Sequence, residues 1–268
     1  MRLDPAAAAA GFRLIAHDSL DSTNAEALRY ALRHRSEASS LWITAGEQTA
    51  GRGRRGNSWI SPPGNLYATL LLKDPAASRH APELSFVAAL AVHDAIIDRA
   101  PQLHDRLALK WPNDVLCGGA KLAGILLEGR WLSASLALAI GIGVNCLHHP
   151  PQSSYPATDL AAAGVQVSAA DVFSALSRAM VRRLDQWRGG EDFSAVRSDW
   201  LDRAGGIGKE IKVRLPDRTL VGCFEALDET GGLLIRLADG SVETILAGDV
   251  FEQPRRSLAG DAEVHGAG

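Results

Sequence analysis

The spacing of apolar positions changes several times along this chain, and each change predicts an element. Phe12 to Ala16, Leu41 to Ala45 and Asn65 to Leu72 are short, dense in β-branched, aromatic and leucine side chains, and bounded by polar or glycine-containing stretches, so they predict strands. Asp21-Ser22-Thr23-Asn24 is a helix N-cap signal with Glu26 in the first turn, predicting a helix to about Arg35. Leu84 to Arg99 and Ala169 to Trp187 carry helical periodicity over long windows, and Phe193 to Ala204 predicts a further helix. Leu107 to Trp111, Lys121 to Glu128 and Leu136 to Val144 predict strands, the last two buried and rich in Leu and Ile. After Gly205-Gly206 the texture changes. Lys209 to Leu215, Leu220 to Leu227, Gly232 to Leu237 and Val242 to Leu246 are short strand patterns, separated by the turn signals Pro216-Asp217, Glu229-Thr230-Gly231-Gly232 and Asp239-Gly240. That order predicts an α+β protein in two parts. Residues 1–205 form a mixed-sheet domain, 206–254 a small separable β-barrel module, and 255–268 a polar, disordered tail.

Composition narrows the picture. With 268 residues and 46% hydrophobic positions the chain can bury a full core. A formal net charge of -3 gives no whole-protein attraction to nucleic acid or anionic lipid, so any basic site is local. Cys117, Cys146 and Cys223 are odd in number, widely spaced and without a CxxC pattern, which predicts reduced thiols in a cytoplasmic protein. No apolar run reaches membrane-spanning length, and the alanines at 6–10 follow Asp4 and Pro5 rather than a signal-peptide pattern.

Four short segments carry candidate chemistry. Gly51-Arg52-Gly53-Arg54-Arg55-Gly56-Asn57-Ser58-Trp59 interleaves three glycines with three arginines and ends on an indole. Glycine lets backbone approach a ligand, and guanidinium forks suit phosphate or carboxylate. A solvated loop or a nonspecific nucleic-acid patch accounts for the same composition. Gln48 leads into this loop with donors and an acceptor. Ser22, Thr23 and Asn24 at a helix start present hydroxyls and an amide to a neutral polar head group, or serve as a plain cap. Lys110-Trp111-Pro112-Asn113-Asp114 ends a strand at its proline, placing Asn113 and Asp114 where ligands bind, and Asp114 is a candidate for Mg²⁺ or a ribose hydroxyl. Lys121 stands at the start of an apolar strand in a chain with only five lysines, its ammonium aimed at an anion or simply at solvent. Gly141-Ile142-Gly143-Val144-Asn145 lacks the third glycine of a dinucleotide fingerprint and reads equally as a tight strand exit.

Taken in order, DSTN, EQTAGRGRRGNSW, KWPNDVLCGGAKLAGILLE and GIGVN resemble the biotin protein ligases, and the likeness covers roughly Phe12 to Phe251. It implies a biotin/lipoate-ligase-like catalytic domain followed by an SH3-like domain. It also implies two chemical steps: biotin and MgATP give biotinoyl-5′-AMP, and a lysine of a biotin carboxyl carrier domain then takes the biotinyl group. By that resemblance Ser22, Thr23, Asn24, Gln48, Gly51, Arg52, Gly53, Arg54, Lys121, Gly124 and Gly141 bind biotin. Arg54, Arg55, Trp59, Trp111, Asn113, Lys121 and Asn145 face the nucleotide, with Asp114 toward Mg²⁺, and Lys121 and Arg54 are the catalytic pair. Some members carry an N-terminal DNA-binding domain, for which about twenty residues before the DSTN motif are too few, so specific DNA binding is not expected. Members often pair through the sheet, which puts a homodimer among the implied partners. A lipoate or octanoate enzyme of the same superfamily is the alternative, disfavoured by the GRGRRG loop and KWPND; a nucleic-acid-binding module is the remoter one.

Overall fold

The computed structural model describes residues 1–35, 37, 40–151 and 155–252. The tail expected beyond 254 lies outside the described residues. Pro5–Ala9 (α1) is capped by Asp4, whose carboxylate accepts the Ala6 N–H. Arg13–Leu20 (β1), Thr23–Arg33 (α2) and Ser40–Gln48 (β2) form a β-α-β unit with β1 parallel to β2. Leu66–Lys73 (β3), Leu84–Arg99 (α3), Leu107–Lys110 (β4), Asp114–Cys117 (β5), Ala120–Leu132 (β6) and Ser135–Val144 (β7) follow. The sheet runs β1-β2-β3-β7-β6-β5-β4, and every pairing after the first is antiparallel.

The sheet is covered on both faces, which explains the near-continuous apolar runs in its central strands. Leu41, Ile43, Leu71 and Ala139 face α2, whose Ala27 and Ala31 are fully buried against them. Trp42, Leu70 and Ile140 point the other way, into the main core. There α3 packs against Ala169–Trp187 (α4), with Phe193–Leu201 (α5) alongside. The alternation across Leu41, Trp42 and Ile43 is the period of two expected of a strand.

The C-terminal part holds Glu210–Arg214 (β8), Thr219–Leu227 (β9), Leu233–Arg236 (β10), Val242–Ile245 (β11) and Asp249–Glu252 (β12). They form a five-stranded antiparallel sheet ordered β11-β10-β9-β8-β12. This part packs directly against the larger domain. Phe224, Leu227, Leu233 and Ile235 belong to the same core as Phe86, Phe193 and Trp200. The turn after β9 is keyed into the larger domain: Trp111 Nε1 donates to Gly231 O at 3.0 Å. Gly231 has φ +87, and a Cβ there would lie 2.7 Å from the Phe86 ring.

Candidate active site

A cavity of about 370 Å³ opens where the start of α2, the 51–59 loop, the β4–β5 turn and strands β6 and β7 converge, with β8 and β12 closing its far wall. At one end its groups are polar and uncharged. Ser22 caps α2. Thr23 donates from its backbone N–H (2.9 Å) and from Oγ1 (3.1 Å) to Gln48 Oε1. Gln48 Nε2 donates to Ser61 Oγ at 2.9 Å, and Ser61 Oγ donates to Trp59 O at 2.8 Å. Asn24 is fixed at both ends: Thr69 Oγ1 lies 2.7 Å from its Oδ1, and its Nδ2 donates to Glu128 Oε2 at 2.8 Å. A Cβ at position 141 would lie 2.3 Å from Asn24 Oδ1, so only glycine lets the amide sit on β7.

The other end is cationic. The 51–59 loop folds back on itself, with Gly53 N–H donating to Asn57 O (2.7 Å) and Trp59 N–H to Gly51 O (2.9 Å). Arg55 takes φ +56 at its tip. The Trp59 indole lies flat against the glycine floor, where a Cβ at Gly143 would approach its Nε1 to 2.6 Å. Arg54 Nη1 donates to Asn113 Oδ1 at 3.1 Å, and burial pulls the pKa of this guanidinium down. Arg55 pairs with Asp249 at 2.6 Å, and Arg52 with Glu128 at 3.0 Å. Lys121 is largely buried. Its Nζ pairs with Asp114 at 2.6 Å and sits 5.4 Å from the Trp59 ring centroid and 5.1 Å from that of Tyr155. Both partners are short of water, so the attraction between the two charges is screened less than in a surface bridge, although Asp114 Oδ1 makes no well-angled hydrogen bond. The cavity therefore suits a ligand with a neutral polar head and an anionic tail, next to a second anion of phosphate type.

The chain is 40% identical over 242 residues to the biotin--[acetyl-CoA-carboxylase] ligase of Paracoccus denitrificans, covering 86% of this chain and 97% of that protein. The chain belongs to the biotin/lipoate A/B protein ligase family. The family match spans residues 17–145, and residues 206–251 match the biotin protein ligase C-terminal domain. The structure of the Aquifex aeolicus biotin protein ligase in complex with biotin and ATP is similar at TM-score 0.75 and 26% identity, over 90% of this chain and 99% of that one. The Leishmania major ligase in complex with biotinyl-5-AMP is similar at TM-score 0.62 and 25% identity, over 88% and 99%.

Within this family member the residues expected at the site are mostly brought together. Ser22, Thr23, Asn24, Gln48 and Gly141 line the neutral end, whereas Gly124 lies beside Lys121, where a Cβ would come within 3.3 Å of Nζ. Arg52, Gly53, Arg54, Arg55 and Trp59 come from the loop, and Trp111, Asn113, Asp114 and Lys121 from the strand ends. Two expected residues do not line the cavity. Gly51 packs under Trp59 O and Ser61 Oγ, where a Cβ would fall at 2.3 and 2.6 Å. Asn145 is buried behind the floor, its N–H donating to Leu122 O (2.9 Å) and its Nδ2 to Thr158 O (3.0 Å), which is the tight strand exit. Asp114, the candidate magnesium ligand, is the partner of Lys121, and no cluster of three metal-ligating side chains occurs among the described residues.

Sequence reasoning missed Thr69, Glu128, Tyr155, Arg214, Asp249 and Phe251. Thr69 carried a signal, being a fully buried hydroxyl in the apolar strand LYATLLL. Arg214 stacks over the Phe251 ring at 4.9 Å, and Asp249 holds Arg55. All three reach the site only through the docking of the C-terminal sheet, which no local pattern encodes.

Proposed function

We propose that this chain is a biotin–[acetyl-CoA-carboxylase] ligase acting in a cytoplasmic, reducing compartment. The observation that carries the reading is Lys121, held by Asp114 between the neutral head site and the arginine loop. In the first step a carboxylate oxygen of biotin attacks the α-phosphorus of ATP, the bond to the β-phosphate oxygen breaks, and pyrophosphate leaves. Ser22, Thr23, Asn24 and Gln48 hold the ureido ring through groups that are already hydrogen-bonded and so cost little reorganisation. Two anions must meet, and Lys121, Arg52 and Arg54 offset their repulsion as charge builds on the phosphoryl oxygens. In the second step an acceptor lysine amine on a biotin carboxyl carrier domain attacks the acyl carbonyl and AMP leaves. Trp59 and Trp111 border the space for the nucleotide. Among the described residues no side chains build a resident metal cage, and Mg²⁺ would travel with the triphosphate, in keeping with its preference for phosphate and water.

The test is biotin-dependent exchange between ATP and pyrophosphate. Biotin, and not lipoate, should support it. Lys121→Ala should cut the rate by roughly 10²–10³ while calorimetry still detects biotin. Wild-type protein that exchanges with lipoate alone, or a mutant with near-normal exchange, defeats the reading.

A further inference from the structure

Glu128 lies one layer behind the cavity and joins two parts of it. The same carboxylate oxygen, Oε2, accepts from Asn24 Nδ2 at 2.8 Å and pairs with Arg52 Nη2 at 3.0 Å. From Asn24 a run of hydrogen bonds continues through the Thr69 and Thr23 hydroxyls, passes from the Thr23 backbone N–H to Gln48 Oε1, then reaches Ser61 and ends on the Trp59 carbonyl. Both ends of this run land on the 51–59 loop: Arg52 at its start, through Glu128, and Trp59 at its finish, through Ser61. The middle of the run is the neutral head site. A ligand head that orders Asn24, Thr23 and Gln48 therefore orders both roots of the loop at once. At the Trp59 end the link is hydroxyl to backbone. At the Arg52 end it is a carboxylate shared between an amide and a guanidinium, and a guanidinium with five donors can keep Glu128 on one edge while presenting the other to an incoming anion.

We propose that Glu128 is a positioning residue that couples occupancy of the head site to closure of the arginine loop, and so governs how long the activated intermediate is retained. The proposal rests on the reading of the head site as the biotin site. Glu128→Gln is nearly isosteric. Its amide oxygen still accepts from Asn24, but the charge that holds Arg52 is gone.

The experiment uses the full chain with Glu128→Gln, Arg52→Ala and the double variant. It measures biotin affinity by calorimetry, tryptic cleavage of the loop with and without saturating biotin, and dissociation of preformed biotinoyl-adenylate in a chase. Glu128→Gln should lose biotin protection of the loop, weaken biotin binding by roughly the same three- to tenfold that the coupling contributes, and release the adenylate correspondingly faster. In the Arg52→Ala background the same change should add nothing, because the coupling runs through Arg52. Wild-type protection and residence in Glu128→Gln would overturn the inference. So would an equal effect, on affinity or on residence, with Arg52 absent, which would place Glu128 in the head site alone. Wild-type protein that does not bind biotin would overturn the functional reading itself, a separately visible result.

Discussion

At the scale of single residues, charge placement divides the work. In the proposed reaction Lys121, paired with Asp114, would stand beside the reacting oxygens, whereas Arg54, which donates to Asn113, would close over the nucleotide side. Replacing Arg54 by Gly removes a charge-assisted contact of roughly 1.5–3 kcal/mol, about ten- to a hundredfold in residence time. The mutant should still make the adenylate but release it, and bystander proteins rich in lysine should become biotinylated when mixed with mutant, biotin and MgATP. Blotting for biotin checks this; unchanged bystander labelling with intact synthesis would show that Arg54 is not the clamp. Residues of this kind were readable because their types are unusual for their setting: arginines among glycines, a lysine opening an apolar strand. Glu128 was not, since a glutamate closing the apolar run of β6 has no distinctive neighbours in sequence. Asn145 misled for the converse reason, since a glycine-rich strand exit has the same composition whether its last amide meets a ligand or the Leu122 carbonyl.

At the scale of elements, helices and most strands were legible, including the four-residue β4, β10 and β11. Strands β5 and β12 were not: β5 directly follows the Pro112 turn that ends the preceding strand, and β12 stands at the edge of the polar tail. Helix α1 hid in an alanine run and is held by its cap and by Asp4 N–H donating to Ser177 Oγ at 3.0 Å. The joint between α3 and α4 rests on a buried charge pair. Arg183 donates to Asp94 from Nε (2.8 Å) and Nη2 (3.1 Å), and also reaches Asp199 on α5. Burial alone would raise the Asp94 pKa, but the neighbouring His93 and the hydrogen-bonded Arg183 guanidinium outweigh it and bring it down to about 2. A carboxyl lowered by folding contributes stability above its unfolded pKa near ~4 and loses it as pH falls toward the folded value. The contribution is on the order of 2 kcal/mol. Asp94→Asn should therefore be less stable than wild type at pH 7, with the gap shrinking between about pH 4 and pH 2. Thermal unfolding of both proteins across that range decides it, and a gap that stays constant with pH excludes this role for Asp94.

At the scale of the whole molecule, two parts were foreseen but not how they join. The turn signals located the C-terminal strands well, yet the pattern of apolar positions within a strand does not say whether its buried face meets its own module or a neighbour. Here it meets both. Phe86 packs edge-on to Phe193 and Trp200, and the 228–232 turn sits on the Phe86 ring. Removing residues 206–268 should uncover these rings and the Trp111 N–H together. The truncated chain should show weak near-ultraviolet circular dichroism, bind a hydrophobic dye and lack a sharp unfolding transition. A truncated protein that melts cooperatively, with wild-type enthalpy scaled to its length, would show that the larger domain stands alone.

Strand β12 pairs with β8, so the C-terminal sheet is completed by the last strand described. That strand brings Asp249 to Arg55 and sets Phe251 beside Lys110, whose Nζ lies 5.6 Å from its ring. During synthesis the head site, the loop and Lys121 emerge well before it. A nascent chain thus carries the groups that would activate biotin before it carries the strand that closes the chamber. Because the larger domain leans on the C-terminal sheet for its packing, those groups take up their places only once that sheet is made. The order of translation therefore delays the generation of a reactive acyl phosphate until the wall that confines it exists.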